Sequence, residues 1–215
     1  MSQLKIKICG LTTTDIIDSA LAANVDMIGL VFFPKSPRNV SYEQARKLAD
    51  YMKGRTKIVA LTVNMPLDEM EKLVRTVQPD ILQLHGHESP EQCLKVKQAF
   101  QLPIMKAFGI STREDLEKAN NYSAVVDRFL FDAKPPKGVD VPGGNGVSFD
   151  WRLLQNTPIT KPYMLSGGLD CDNVAQAIKL SGAREIDVSS GVESSRGVKD
   201  PELISAFVRN ARSAL

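Results

Sequence analysis

Short apolar runs separated by helix-like stretches recur along the whole chain, and this alternation constrains the fold more than any other feature. The runs fall at residues 4–9, 26–32, 57–63, 80–84, 103–107, 128–132, 162–166 and 185–189. In the first, Leu4, Ile6 and Ile8 alternate with Lys5 and Lys7, the period of two expected of a strand. Helix start signals stand between the runs. Thr14 and Asp15 open one helix, Ser41 a second that reaches about Met52, and Pro66 a third that reaches Val77. Ser89 with Pro90, the stretch from Asp170 to Asn173, and Asp200 with Pro201 open others, while 112–120 has the weakest helical pattern. Strands alternating with helices imply parallel pairing through right-handed crossovers. Eight units in 215 residues leave almost no room for insertions, which predicts an α/β fold, a (β/α)8 TIM barrel, with 1–215 as a single catalytic domain. An open doubly wound sheet would normally carry a glycine fingerprint in its first turn, and Cys9-Gly10-Leu11 is not one.

Charge and cysteine content narrow the partners. The net charge is +2 and no basic run is interleaved with aromatics, so neither nucleic acid nor a membrane surface is expected as a partner. No apolar run approaches the length of a membrane span, and the first residues lead into a strand without a secretory segment. Three widely spaced cysteines, Cys9, Cys93 and Cys171, argue against a disulfide framework and for a reducing compartment, the cytoplasm. The lack of a long exposed apolar stretch predicts a monomer.

In a barrel, chemistry sits in the loops after the strands, and unusual residues gather there. Cys9 ends the first strand, Arg38 follows the second, His85 ends the fourth and Asp132 ends the sixth. Cys9 is either a small buried hydrophobe or a reactive thiol. Asp132 closes the apolar run Phe129-Leu130-Phe131, where partial burial would favour the protonated carboxyl of a general acid. A helix cap or an ion pair with Lys134 explains it equally well. The Pro- and Gly-rich stretch 133–148 is long enough to be a lid, or a plain surface loop, and Trp151 opens the helix after it as a packing anchor. After the seventh and eighth strands come Ser166-Gly167-Gly168 and Ser189-Ser190-Gly191. Glycines that let backbone N–H groups approach an anion, with hydroxyls beside them, are expected to bind phosphate at these two loops. His85 and Cys93 make a poor metal site, so no metal is expected. His85 is assigned to orienting a side chain or filling polar space, and His87 to solvent.

Taken together, Lys7–Thr12, Phe33–Arg38, Gln83–Gly86, Gly144–Gly146 with Phe149–Trp151, Leu165–Leu169 and Asp187–Glu193 resemble the phosphoribosylanthranilate isomerase family of tryptophan biosynthesis, in the family's order and across the chain. The resemblance implies a phosphosugar substrate, N-(5-phosphoribosyl)anthranilate, whose ribose ring opens and rearranges to 1-(2-carboxyphenylamino)-1-deoxyribulose 5-phosphate without a cofactor. It also implies Cys9 as the base at C2, Asp132 as the acid at the ring oxygen, Arg38 on the anthranilate carboxylate, and the loops of Gly167-Gly168 and Ser189-Ser190-Gly191 on the 5-phosphate.

Such chemistry needs a thiolate, so the site is expected to lower the Cys9 pKa below its usual value of about 8.5. Lys7 is read as facing the other side of the strand and is given no part in this. Two further readings are an enzyme that closes a ring or cleaves a carbon–carbon bond in another phosphosugar, the lyase version having Lys106 as its Schiff-base candidate, and a phospholigand sensor, which would leave Cys9 and Asp132 without a task.

Overall fold

The computed structural model describes residues 4–135, 138, 142–155 and 157–214. Eight strands close into a parallel barrel in chain order. They are β1 (Lys5–Cys9), β2 (Met27–Phe32), β3 (Lys57–Thr62), β4 (Ile81–Leu84), β5 (Ile104–Ile110), β6 (Arg128–Ala133), β7 (Tyr163–Leu165) and β8 (Glu185–Val188). The helices are α1 (Thr14–Ala22), α2 (Tyr42–Met52), α3 (Leu67–Val77), α4 (Pro90–Phe100), α5 (Arg113–Ala119), α6 (Val174–Ser181) and α7 (Pro201–Arg212). A short antiparallel pair, β9 (Glu193–Ser195) and β10 (Val198–Lys199), follows β8 and was not foreseen from the sequence.

Local chemistry starts the helices where the sequence suggested. Ser41 accepts a hydrogen bond from the Gln44 amide, and Asp200 accepts from Glu202 and Leu203. Ser89 and Gln92 form a reciprocal capping box ahead of Pro90. The helix expected from Trp151 is instead one 3-10 turn, Trp151–Leu154. Pro158 follows too soon for more, since it lacks an N–H and disfavours helical geometry at Thr157. Thr14 is the first residue of α1, and Thr13 is its cap.

Strand parity sorts the side chains into two cores. Ile6, Ile8, Ile28, Leu30, Phe129 and Phe131 face outward under the helices. Met27, Val59, Ile81, Met105, Ala107, Leu130 and Met164 fill the barrel interior. Cys9, Val31 and Leu61 form a separate apolar cluster, and all three line the mouth. These residues fill the interior, and a cleft opens above them at the C-terminal ends of the strands.

Candidate active site

An open cleft of about 630 Å³ lies at that end of the barrel, lined by Cys9, Arg38, His85, Asp132, Ser166, Gly167, Gly168, Asp187, Ser189 and Ser190, among others. Residues as far apart in sequence as Cys9 and Ser190 thus meet at one mouth. Gly191 does not line the cleft. Its Cα is pressed so close to the loop after β7 that an added Cβ would collide with the Leu169 carbonyl oxygen, and it bridges Asp170. It holds the two phosphate-candidate loops against each other.

Cys9 sits at the top of β1 opposite Gly29 of β2. A Cβ at Gly29 would stand 2.8 Å from the Cys9 sulfur, so glycine makes room for the thiol. The structure reverses the expectation for Lys7. Residues two apart in a strand share a face, and Lys7 projects inward beneath Cys9, where its ammonium donates to Asp187 Oδ1 at 2.8 Å. Burial alone would push Lys7 down, but Asp187 holds it above its ordinary value. The expected lowering of the Cys9 pKa is corrected as well. Burial pushes the thiol up, against the pull of Lys7 and Lys199, while Asp187 adds to the rise.

Asp132 is buried at the end of β6. Its Oδ1 accepts the Ala133 amide at 2.8 Å, and its Oδ2 lies 3.4 Å from His85 Nε2. Neither alternative for Asp132 holds. No helix starts there, and the Lys134 ammonium pairs with Asp115. His85 Nδ1 lies 2.8 Å from Gln83 Nε2, so the imidazole is held at both ends. Within the 133–148 stretch, Gly143 lies against these groups. A Cβ at Gly143 would be 2.8 Å from Asp132 Oδ2 and 2.9 Å from His85 Nε2. Residues 136, 137 and 139–141 of the lid expectation lie outside the described residues.

Arg38 is buried and faces the same cleft, but one edge of its guanidinium is already occupied. Nε donates to Glu193 Oε1 at 2.6 Å and Nη2 to Glu193 Oε2 at 2.9 Å. Glu193 also accepts from Lys199 and from the Gly197 amide at 2.9 Å. Burial pushes its carboxyl up, but Arg38 and Lys199 outweigh this and hold it at about 2. The Nη1 corner of Arg38 points toward Gly144, where an added Cβ would be 2.6 Å away. Lys199 donates to the Ser189 carbonyl at 3.0 Å, and Ser189 Oγ donates to the Cys9 carbonyl at 3.0 Å. The second loop is thereby tied to the cysteine strand.

Lys106 is not a Schiff-base candidate. On β5 it lies between the inward Met105 and Ala107, so it faces the helix layer. Its ammonium donates to the Gly86 and Ala107 carbonyls at 2.8 and 2.9 Å and pairs with Glu88 at 3.1 Å. Sequence reasoning assigned no role to Glu193, Asp187, Lys199 or Gly29. Asp187 and Glu193 bound a motif that carried the resemblance, and the spacing of two from Cys9 was the readable signal for Lys7.

Among the described residues, no group of three or more His, Cys, Asp or Glu side chains could hold a metal ion, and no helix is long and apolar enough to cross a membrane. The family model described as N-(5'phosphoribosyl)anthranilate (PRA) isomerase matches residues 6–210. The chain is 54% identical to the N-(5'-phosphoribosyl)anthranilate isomerase of Rhodopseudomonas palustris (strain BisA53), over 98% of this chain and 96% of that one. It is 50% identical to that of Sinorhizobium fredii (strain NBRC 101917 / NGR234), over 99% and 95%. Among solved structures, the phosphoribosyl anthranilate isomerase of Thermotoga maritima superposes with a TM-score of 0.88 at 34% identity, covering 98% of this chain and 100% of that one. A phosphoribosyl anthranilate isomerase in complex with reduced 1-(o-carboxyphenylamino)-1-deoxyribulose 5-phosphate gives 0.84 at 32%, with the same coverage.

Proposed function

The chain belongs to the N-(5'-phosphoribosyl)anthranilate isomerase family, and on that premise we propose how its own residues carry the reaction. The enzyme isomerises N-(5'-phosphoribosyl)anthranilate to 1-(2-carboxyphenylamino)-1-deoxyribulose 5-phosphate in tryptophan biosynthesis. In our reading, Asp132 donates a proton to the ring oxygen as the C1–O bond breaks, leaving an iminium at C1. The iminium acidifies the C2–H, and the Cys9 thiolate removes that proton to give an enolamine. Tautomerisation then protonates C1 and leaves a ketone at C2, while Cys9 gives up its proton and Asp132 regains one. C1 is reduced and C2 oxidised within one molecule, so the electrons balance without an external acceptor.

The observation that carries this reading is the convergence of Cys9 and Asp132, from β1 and β6, on one cleft beside Arg38. An acid and a base that handle different protons must reach the two ends of one short segment of substrate. The free corner of Arg38 is assigned to the anthranilate carboxylate, with Glu193 fixing the plane of the fork. His85 orients Asp132. Gly167, Gly168, Ser189 and Ser190 are assigned to the 5-phosphate, with Gly191 holding their loops together. The segment bearing Gly143 and Gly144 is assigned to cover the bound sugar and exclude water.

The whole of 1–215 is read as one catalytic domain that acts as a monomer. Among the described residues, the exposed large apolar side chains Tyr51, Leu67, Leu94 and Val198 belong to separate elements and make no single sequence stretch. The Thermotoga maritima isomerase is described as dimeric, so light scattering on this chain tests that assignment. The free state of Cys9, Cys93 and Cys171 supports a cytoplasmic location. The function is tested by fluorescence, following loss of phosphoribosylanthranilate generated in place. Purified enzyme should consume it with no added metal or cofactor, and absence of turnover would count against the reading.

A further inference from the structure

The barrel axis beneath the cysteine holds a pair of charges that the reaction scheme above does not use. Lys7 and Asp187 are partners across the β1–β8 register, and their side chains are 0% and 5% exposed. Beside them the interior is filled by Met27, Val59, Ile81, Met105, Leu130 and Met164, with the buried Gln83 of β4, while Lys5 and Arg128 pair with Glu185 one inward position below. A well-packed apolar pair is often at least as stable as a buried ion pair, so stability alone gives weak reason for charges at this level. Their place directly below the base gives a stronger one.

We propose that Lys7 and Asp187 are positioning residues for Cys9, with the Lys7 ammonium as counter-ion of the Cys9 thiolate and Asp187 setting how much of that charge the sulfur receives. This rests on the reading of Cys9 as the base. Lys7 shares the inward face of β1 with Cys9, and its charge acts on the sulfur more strongly than the opposing charge of Asp187. Asp187 lines the cleft and approaches Ser166 Oγ at 3.5 Å, so one carboxylate joins the buried ammonium to the cleft wall.

Of the other charged groups facing the thiol, Lys199 also pulls its pKa down but less than Lys7 does, and each has its own partners. Lys199 of β10 is held by Glu193 and Ser189, Arg38 is forked on Glu193, and His85 and Asp132 face each other within the same cleft. On β2 the neighbours are Gly29 and the apolar Val31. Lys7 is thus the cation closest in chain and face to the sulfur. A thiol held high by burial makes a strong base once ionised, since basicity rises with pKa. The buried ammonium keeps the ionised fraction from vanishing.

The two partners should move the thiol in opposite directions, which a purely structural role would not do. The thiolate is titrated by its ultraviolet absorbance, each protein being compared with its own Cys9→Ala version, alongside the pH profile of kcat/KM. Lys7→Met should raise the thiolate midpoint by about one pH unit or more, and Asp187→Asn should lower it by a similar amount, the scale of a nearby charge. Lys7→Arg should return it toward wild type, and the acid limb of kcat/KM should follow each shift.

Circular dichroism checks that each variant folds. If Lys7→Met does not, Asp187→Asn, which keeps an oxygen acceptor for Lys7, decides by the sign of its shift. Shifts of the same sign in both variants, or no shift in a folded Asp187→Asn, overturn the proposal. The titration does not depend on turnover, so the two ideas fail separately. Full activity in Cys9→Ala would remove the base assignment, whereas an inactive Cys9→Ala with unmoved titrations would remove only the role of the pair.

Discussion

Arg38 and Glu193 form a two-point pair, Nε to Oε1 at 2.6 Å and Nη2 to Oε2 at 2.9 Å, with both side chains almost wholly buried. The fork of Arg38 is therefore filled by the protein itself along one edge. A ligand carboxylate must approach the remaining corner, near Gly144, in an orientation that Glu193 has already set.

Arg38 should accordingly act in binding. Arg38→Met keeps the aliphatic stem and removes the donors, so KM should rise about 10- to 100-fold, the value of roughly 1.5–3 kcal/mol for a hydrogen bond to a charged group. The change in kcat should be much smaller. Steady-state kinetics decide, and equal losses in kcat and kcat/KM would count against the assignment.

The acid and base roles should separate from binding. Cys9→Ser keeps the shape of the side chain but does not ionise near neutral pH, and Asp132→Asn removes the proton without changing the volume. Each should lower kcat by roughly 10²- to 10⁴-fold. Calorimetry with the reduced product analogue should show affinity near that of wild type. An active Cys9→Ser would sink the mechanism.

Gly29 offers a steric test of where the sulfur must stand. Gly29→Ala would place a methyl 2.8 Å from Cys9 Sγ and 3.1 Å from the Cys9 Cα. Either the sulfur turns away or the strands part, at a cost of about 1–3 kcal/mol in stability. A displacement of this kind can cost up to roughly 10²-fold in rate, so kcat should fall while KM stays near wild type. Unchanged kcat in a folded variant would show that the sulfur position is not critical.

Glu193 should be visible in acid unfolding. Its ordinary value of 4.5 is depressed to about 2 by Arg38 and Lys199, so its stabilisation is complete above the unfolded-state value and disappears as pH falls through the folded one. Wild type should therefore exceed Glu193→Gln by up to about 3 kcal/mol near neutral pH. The difference should shrink between about pH 4.5 and 2. Denaturant unfolding at several pH values measures it, and a pH-independent difference would contradict the charge pairing.

Much of this molecule was legible along the chain because its information is local. A strand declares itself by a period of two, as Leu4, Ile6 and Ile8 do, and a helix start by a cap such as Ser89-Pro90. Eight such units within 215 residues allow few closed arrangements. The strand-end positions of Cys9, His85 and Asp132, and the place of Arg38 in the loop after β2, then follow from strand assignment alone.

Electrostatics and contact were decided only when the strands closed into a barrel. Lys7 meets Asp187 across 180 residues because β8 returns to pair with β1, and Glu193 reaches Arg38 across 155 only through the turn of β9 and β10. Burial likewise exists only in the folded protein, which is why the Cys9 thiol is pushed up where its chemistry alone suggested a lowered value. Hydrophobic periodicity depends on neighbours in sequence, whereas desolvation and Coulomb energy depend on distances through space that no spacing along the chain encodes.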